Sequence, residues 1–418
     1  MRRPVPPWAR QLADGLLVAT ALGIPLSTTL AQAAVIGLAA LTVVALVAGW
    51  AVPRRTPLDG VLLLFLATLA VSTLASGRPR GAGGWGRQWV LITFPVTAWW
   101  LRDRAQATRL AWLVTATGAV VGAYAVLQHF TGADWYRALL GRRRAVHTRG
   151  PGDAGFASVG FFRSYLTFGH VMLFPFAWAL AAALDGRRSA GPMAVVIALG
   201  IVFSTARGAW LAAAAIAGTM VLLTRRRSAL IVVAAVAGIG AVGLASSASL
   251  REHAAHMFDL GGVNAGRMAI YRANLDIVHD HPWLGLGFGR YAHAARPYYA
   301  AHPEADRRSH AHNNYLHIAA EAGLIGLAAF VLVFARALTE GLPRPGPDRW
   351  VQTGAWAALV GFLVGGLTQY NFDDHEVTVA MWVATAILLH GRGAGSDDTG
   401  ERSSGEAAEA RIGVSGRS

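Results

Sequence analysis

The chain has 418 residues, 54% of them hydrophobic and only 14% charged, with 37 basic residues (all Arg), 23 acidic residues and no Cys. The apolar content excludes a disordered chain or an ordinary soluble enzyme, and directs the net charge of +14 to a membrane protein rather than to nucleic acid. Without Cys, disulfides, thiolate catalysis, Cys-ligated zinc and iron–sulfur clusters are excluded.

A spanning helix needs about 20 mostly apolar residues. Hydropathy predicts twelve spans, at 12–30, 34–52, 58–76, 88–101, 110–130, 160–184, 191–204, 208–224, 228–247, 316–335, 350–370 and 377–391. The expected fold is an all-α integral membrane protein with one polytopic domain over 1–390. A large polar loop, 248–315, joins spans nine and ten, and a disordered cytoplasmic tail follows at 391–418. Arg2 and Arg3, an apolar run and Ala31-Gln32-Ala33 resemble a cleaved signal peptide. The run is too long for one, and a second begins at once.

With the N-terminus in the cytoplasm, 17 Arg fall on inner connections, among them Arg54, Arg55, Arg225, Arg226 and Arg227. The outer turns 31–33 and 371–376 carry none, in line with the positive-inside rule. Another 17 lie outside, mainly in 78–87, 137–163 and 251–308. That excess exceeds what topology needs and points to an anion on the outer face. No internal repeat and no inverted pair of broken helices is visible, which disfavours a transporter.

In chain order, Ser204-Thr205-Ala206-Arg207-Gly208 comes first, placing an Arg at the outer junction of spans seven and eight, where it needs an anion, water or a snorkelling path. The loop 248–315 then gathers eight of the 14 His, the side chain best suited to take a proton near neutral pH. Within it, 266–278 reads as an amphipathic helix with Asn264 as N-cap and Met268, Tyr271, Leu275 and Val278 on its apolar face. Arg267 sits in the first turn, where acids are favoured; an anion bound at the helix start explains it. His281-Pro282-Trp283-Leu284-Gly285-Leu286-Gly287-Phe288-Gly289 reads as a tight turn returning the loop to the membrane. It lacks the preceding strand of a dinucleotide fingerprint. Trp283, Tyr291, Tyr298 and Tyr299 suit the headgroup level.

Next, Ser309-His310-Ala311-His312-Asn313-Asn314-Tyr315 runs into span ten. Glu321 falls inside the hydrocarbon region and needs a partner in the bundle interior. No carboxylate lies at ligand spacing from His310 and His312, so no metal site is expected. Asp373, Asp374 and Glu376 make the acidic outer turn, for which a divalent ion, pairing with the Arg-rich loop and simple solvation all fit, with pairing favoured.

These segments together resemble the O-antigen ligase family, in a superfamily with O-antigen polymerases and protein O-oligosaccharyltransferases. The strongest match is His312-Asn313, nine residues, then Gly323-Leu324-Ile325-Gly326. Ser204 to Gly208 resembles a Ser-Arg-Gly motif with Thr-Ala inserted. Gly160-Phe161-Phe162 and His281-Pro282-Trp283-Leu284-Gly285-Leu286-Gly287 resemble two further family segments. The resemblance implies a GT-C-like fold in the bacterial inner membrane, with both termini cytoplasmic and the active site periplasmic. It implies en bloc transfer of a glycan from undecaprenyl diphosphate to lipid A–core, inverting and without metal or other cofactor. It also implies that two outer Arg hold the diphosphate and a loop His is the base. These map to Arg207, His312 and either Arg267 or Arg272, with Arg267 favoured by its position early in the loop helix. Arg163, Asn313 and Tyr315 are further substrate-binding candidates. A polymerase, whose acceptor is another lipid-linked glycan, a protein O-oligosaccharyltransferase and, more remotely, a transporter without chemistry are the competing readings.

Overall fold

The computed structural model describes residues 3–50, 55–77, 84–142, 146–148, 156–224, 265–305, 310–346 and 348–392, with scattered positions inside 225–264. The expected ninth span, Asn264 and the tail from 393 onward lie outside the described residues.

The first helices form a hairpin, α1 (Pro7–Leu26) and α2 (Thr28–Val47). Pro7 fits the first turn of α1, where an N–H has no partner to lose. Ser27 ends α1 and caps α2 by accepting from Leu30 N at 3.3 Å. Gly23 permits the close approach, since a Cβ there would lie 2.5 Å from Ala31 N, the small-residue packing common between membrane helices. After α3 (Asp59–Ala75), the expected fourth span divides into a 3₁₀ segment, Trp85–Ile92, and α4 (Thr93–Trp100). Asp103 caps the long α5 (Arg104–Thr131), which leads to α6 (Trp135–Leu139) and a two-residue strand pair, His147–Thr148 with Phe156–Ala157. The span expected at 160–184 is two helices, α7 (Tyr165–Val171) and α8 (Leu173–Leu184). Then follow α9 (Ala190–Phe203), α10 (Arg207–Thr224), the loop helices α11 (Ala265–Asp280), α12 (Tyr291–Ala294) and α13 (Arg296–Ala301), then α14 (Asn314–Glu340), α15 (Arg349–Gly365) and α16 (His375–Leu388).

Five helical stretches are long and apolar enough to cross a membrane: Thr28–Val47, Arg104–Thr131, Tyr165–Leu184, Arg207–Thr224 and Asn314–Glu340. Asp59–Ala75, Ala190–Phe203 and His375–Leu388 are shorter apolar helices. The protein is thus an all-α, multi-pass membrane protein. One core runs through the bundle and includes Trp178, Trp350, Trp382 and Phe362. A second, smaller core lies under the loop helices.

The loop helix packs on a different face from the one expected. Ala269, Ile270, Ala273, Asn274 and Ile277 are buried, while Leu275 is 56% exposed. Small side chains let α11 lie close to its neighbours, and Asn274 is tolerated inside because Tyr291 Oη donates to its Oδ1 at 2.9 Å. Tyr291 and Tyr299 are accordingly buried rather than at headgroup level; Trp283 alone of the four aromatic residues is largely exposed, at 67%.

Gly323 breaks α14, with φ 69° and ψ −174°. The 282–287 turn inserts at this break. Leu286 N donates to Ala320 O (2.8 Å), Gly287 N to Glu321 O (3.0 Å) and Leu324 N to Pro282 O (2.7 Å). A Cβ on Gly323 would lie 2.1 Å from Trp283 O, so both its left-handed backbone and its bareness are required. The turn after the loop helix therefore splices into a transmembrane helix.

Candidate active site

The connection from α9 to α10 is a tight reversal. Ser204 Oγ donates to Ile201 O at 2.6 Å and accepts from Ala206 N at 3.2 Å. Thr205 takes a φ of 63°, an unfavourable conformation for a β-branched residue. The strained turn delivers Arg207 as the first residue of α10. Gly208 lets Thr368 approach, since a Cβ there would lie 2.2 Å from Thr368 Oγ1.

Arg207 lines a small cavity of about 100 Å³ together with Arg267 from α11. Tyr165, His170, Thr368 and Gln369 complete its polar wall. The two guanidiniums lie close enough to repel each other. Holding like charges together costs energy that an anion between them returns. Arg272 lies on the exposed side of α11 and does not line this cavity. Five residues on a helix turn the side chain by about 140° relative to Arg267. Arg163 is also exposed and away from the cavity.

His312 sits immediately before α14 with a φ of 51°. Among the described residues, Thr205 and His312 are the non-glycine positions with positive φ, and each adjoins or carries a candidate group. Strain concentrated in this way is characteristic of functional sites. His312 Nδ1 lies 3.3 Å from Gln369 Oε1. An amide oxygen accepts, so the hydrogen belongs on Nδ1, and Nε2 keeps the lone pair a base needs. Gln369 lines the arginine cavity and touches His312, linking the two halves of the site.

The backbone around His312 is pinned from several sides. Tyr271 Oη lies 3.2 Å from His312 O and 3.1 Å from Leu367 O, tying α11 to both segments. His312 N donates to His310 Nδ1 at 3.3 Å, and the two rings meet edge to face at 4.2 Å. Ala311 N donates to His317 Nδ1 at 3.3 Å. That leaves the other hydrogen of His317 on Nε2, which faces Glu321 Oε2 at 3.6 Å. Glu321 Oε1 accepts from Tyr291 N at 3.0 Å, and Tyr370 stacks on His317 with ring centres 3.7 Å apart. The expected partner of the intramembrane acid is therefore His317, and through Tyr291 and Asn274 the same acid also supports α11, the helix that carries Arg267.

Asn313 is the N-cap of α14. Its Oδ1 accepts from Tyr315 N (2.8 Å) and Leu316 N (3.0 Å), and its Nδ2 donates to Leu367 O (2.9 Å). Tyr315 Oη donates to Leu363 O at 2.9 Å. Both residues stand beside the site with these groups engaged in backbone contacts.

Among the described residues, the acidic turn pairs, but not with the 248–315 loop. Asp373 bonds Arg87, which lies within the 3₁₀ segment. Asp374 Oδ2 accepts from Thr167 (2.6 Å) and Glu376 from Thr28 (3.2 Å). Burial, then the nearby Glu376, holds the Asp374 carboxyl well above the ordinary value. Other outer arginines are likewise engaged. Arg137 pairs with Asp134 at 3.0 Å and reaches Phe162 O, and Arg290 bonds Ser76 O at 3.1 Å. The outer excess is thus partly structural. Among the described residues, no group of three or more His, Asp or Glu is placed to hold a metal.

Residues 192–331 match the family model described as O-antigen ligase. That stretch, about a third of the chain, is similar to the O-antigen ligase family. No curated protein matches the chain. The matched stretch contains Arg207, Arg267, His312 and the Gly323 break. Gln369, Thr368 and Tyr165 lie outside it, and sequence reasoning missed all three. The available signal was the polar run Thr368-Gln369-Tyr370-Asn371 at the end of an apolar segment.

Proposed function

We propose that the protein is an O-antigen ligase, a glycosyltransferase that moves a glycan en bloc from undecaprenyl diphosphate to lipid A–core. The reading rests chiefly on the convergence of Arg207 and Arg267, from separate elements, in one cavity joined to His312 through Gln369. In the reaction, His312 Nε2 takes the proton of the acceptor hydroxyl. The freed oxygen attacks the anomeric carbon from the face opposite the diphosphate. The carbon–oxygen bond to the diphosphate breaks, the bonding pair leaves with it, and the configuration inverts. Arg207 and Arg267 meet the charge that grows on the departing diphosphate, stabilising the transition state more than the ground state. A diphosphate is already a good leaving group, so the step needs no metal or other cofactor.

The proposal includes twelve spans of GT-C-like architecture, an inner-membrane location, cytoplasmic termini and a periplasmic site. The decisive test offers purified protein a defined lipid-linked glycan with lipid A–core as acceptor. Transfer to lipid A–core, unaffected by EDTA, is expected. Elongation of lipid-linked glycan alone would make the enzyme a polymerase. Activity lost with EDTA and restored by a divalent ion would overturn the arginine mechanism.

A further inference from the structure

At the opposite end of the bundle from His312, the starts of α5 and α15 meet the chain after α14 and the residues after α16. There Arg104, Arg344, Arg349 and Arg392 line one cavity of about 60 Å³. Asp348 is the one acid that lines it. None of the four arginines forms an ion pair with a described acid. Burial, then the charges of Arg344 and Arg104, holds the Arg392 guanidinium below its ordinary value. Thr108 Oγ1 and Arg349 Nε, both on the cavity lining, are buried without a described hydrogen-bond partner.

The positive-inside rule explains why arginines are on this side, but not why they converge. Orientation needs only that each charge stay in its loop, and repulsion alone would spread the side chains into solvent. Convergence of four guanidiniums and the buried Thr108 hydroxyl around one small space is the arrangement an oxyanion stabilises. At the roughly 10–15 Å³ of such space that one water needs, a cavity of about 60 Å³ has room for a single phosphate group and not for a glycan. We propose that this cavity is a binding site for a phosphate group, separate from the transfer site at the other end of α10 and α15. Two sources share that chemistry, the headgroup of an anionic phospholipid and free inorganic phosphate. Basic pockets between helices at a membrane face are well placed to take the first.

The experiment uses the purified full chain and compares three conditions: nanodiscs of phosphatidylcholine alone, nanodiscs containing phosphatidylglycerol, and phosphatidylcholine nanodiscs with added inorganic phosphate. Thermal stability and native mass spectrometry are the readouts. Stabilisation and one retained lipid with phosphatidylglycerol assign the headgroup as source; the same gain with inorganic phosphate assigns the free ion. The arginines to change are Arg104 and Arg344, both exposed. In Arg104→Gln/Arg344→Gln the ligand-free protein stays folded and the ligand binds at least about tenfold more weakly per guanidinium removed. Thr108→Val, which keeps every charge, weakens binding as well. No selective stabilisation by either ligand, or an unchanged response in both variants, overturns the proposal. Glycan transfer is not needed for any readout, so the outcome is independent of the ligase reading.

Discussion

Two arginine-lined cavities sit at opposite ends of the antiparallel pair α10 and α15, one beginning with Arg207 and the other with Arg349. Both also have a histidine within reach, His312 at one end and His390 at the other. They differ in backbone at the histidine. His312 has a left-handed φ, and its Nδ1 is committed to Gln369. His390 follows the last turn of α16 with no such strain. Arginine with histidine is thus insufficient to mark a reaction centre. The strained base with a fixed tautomer distinguishes the site proposed to react from the site proposed only to bind.

The sharpest way to break this comparison is to exchange the roles of the two histidines. His312→Ala is expected to lower turnover by about 10²–10⁴-fold while the protein stays folded, and His390→Ala to leave turnover unchanged. Single-turnover assays with lipid-linked glycan measure both. Equal losses at the two ends would remove the distinction.

A second contrast lies along α14 alone. Glu321 is buried against His317 and Tyr291 N, whereas Arg336 and Glu340 pair at 2.9 Å in half-exposed surroundings. Removing one partner of a buried pair leaves an uncompensated polar group, so Glu321→Ala should cost about 3–5 kcal/mol. Arg336→Ala should cost less than about 1 kcal/mol. Denaturant unfolding in mixed micelles compares them; similar midpoints would deny the hub role of Glu321.

Gln369 tests whether the tautomer matters apart from the fold. Gln369→Ala should reduce kcat by about 10–100-fold, the usual loss on removing a group that orients a reacting one. The donor KM should be nearly unchanged, because Arg207 and Arg267 remain. Gln369→Glu, which restores an acceptor opposite Nδ1, should recover part of the rate. A rise in KM with unchanged kcat would make Gln369 a binding residue instead.

Hydropathy was sufficient to read an all-α membrane protein because desolvation of side chains dominates in a membrane. The His312–Gly326 motif was equally legible, and Gly323 supplies its physical reason. Three features required tertiary information. Leu367 to Tyr370 reads as the end of a span, yet α15 stops at Gly365. Asn314 N donates to Gly366 O at 2.7 Å, and its Nδ2 donates to Asn371 Oδ1 at 2.6 Å. That break exposes Gln369 to the cavity. The choice between Arg267 and Arg272 depends on which face of α11 is buried, and the larger apolar residues, led by Leu275, pointed to the wrong one. The tally of 17 outer arginines also treated all charges alike, whereas Arg87, Arg137 and Arg290 are held by Asp373, by Asp134 with Phe162 O, and by Ser76 O.

The smallest expected effect concerns what the reactive end gives up in stability. Asp374 is buried beside Glu376, and Thr167 donates to its Oδ2 at 2.6 Å. Its carboxyl is held above the ordinary value by burial first and the like charge second. A carboxyl with a raised folded-state value stabilises the fold when protonated. That contribution is complete below the ordinary Asp value of about 3.9 and is lost as pH rises through the raised one. At neutral pH the native state must therefore either ionise Asp374 at a cost or retain its proton at a cost. Asp374→Asn removes both costs and keeps an oxygen for Thr167. The variant should melt higher than wild type at pH 7, with the gap closing as pH falls below the ordinary Asp range. Melting curves across that range decide it, and a variant less stable at pH 7 would mean that the ionised carboxylate has a compensating partner. The opposite cavity then supplies the control. Asp348 lies among four arginines there, so Asp348→Asn, which removes the one negative charge from that cavity, should lower stability at pH 7 where Asp374→Asn raises it.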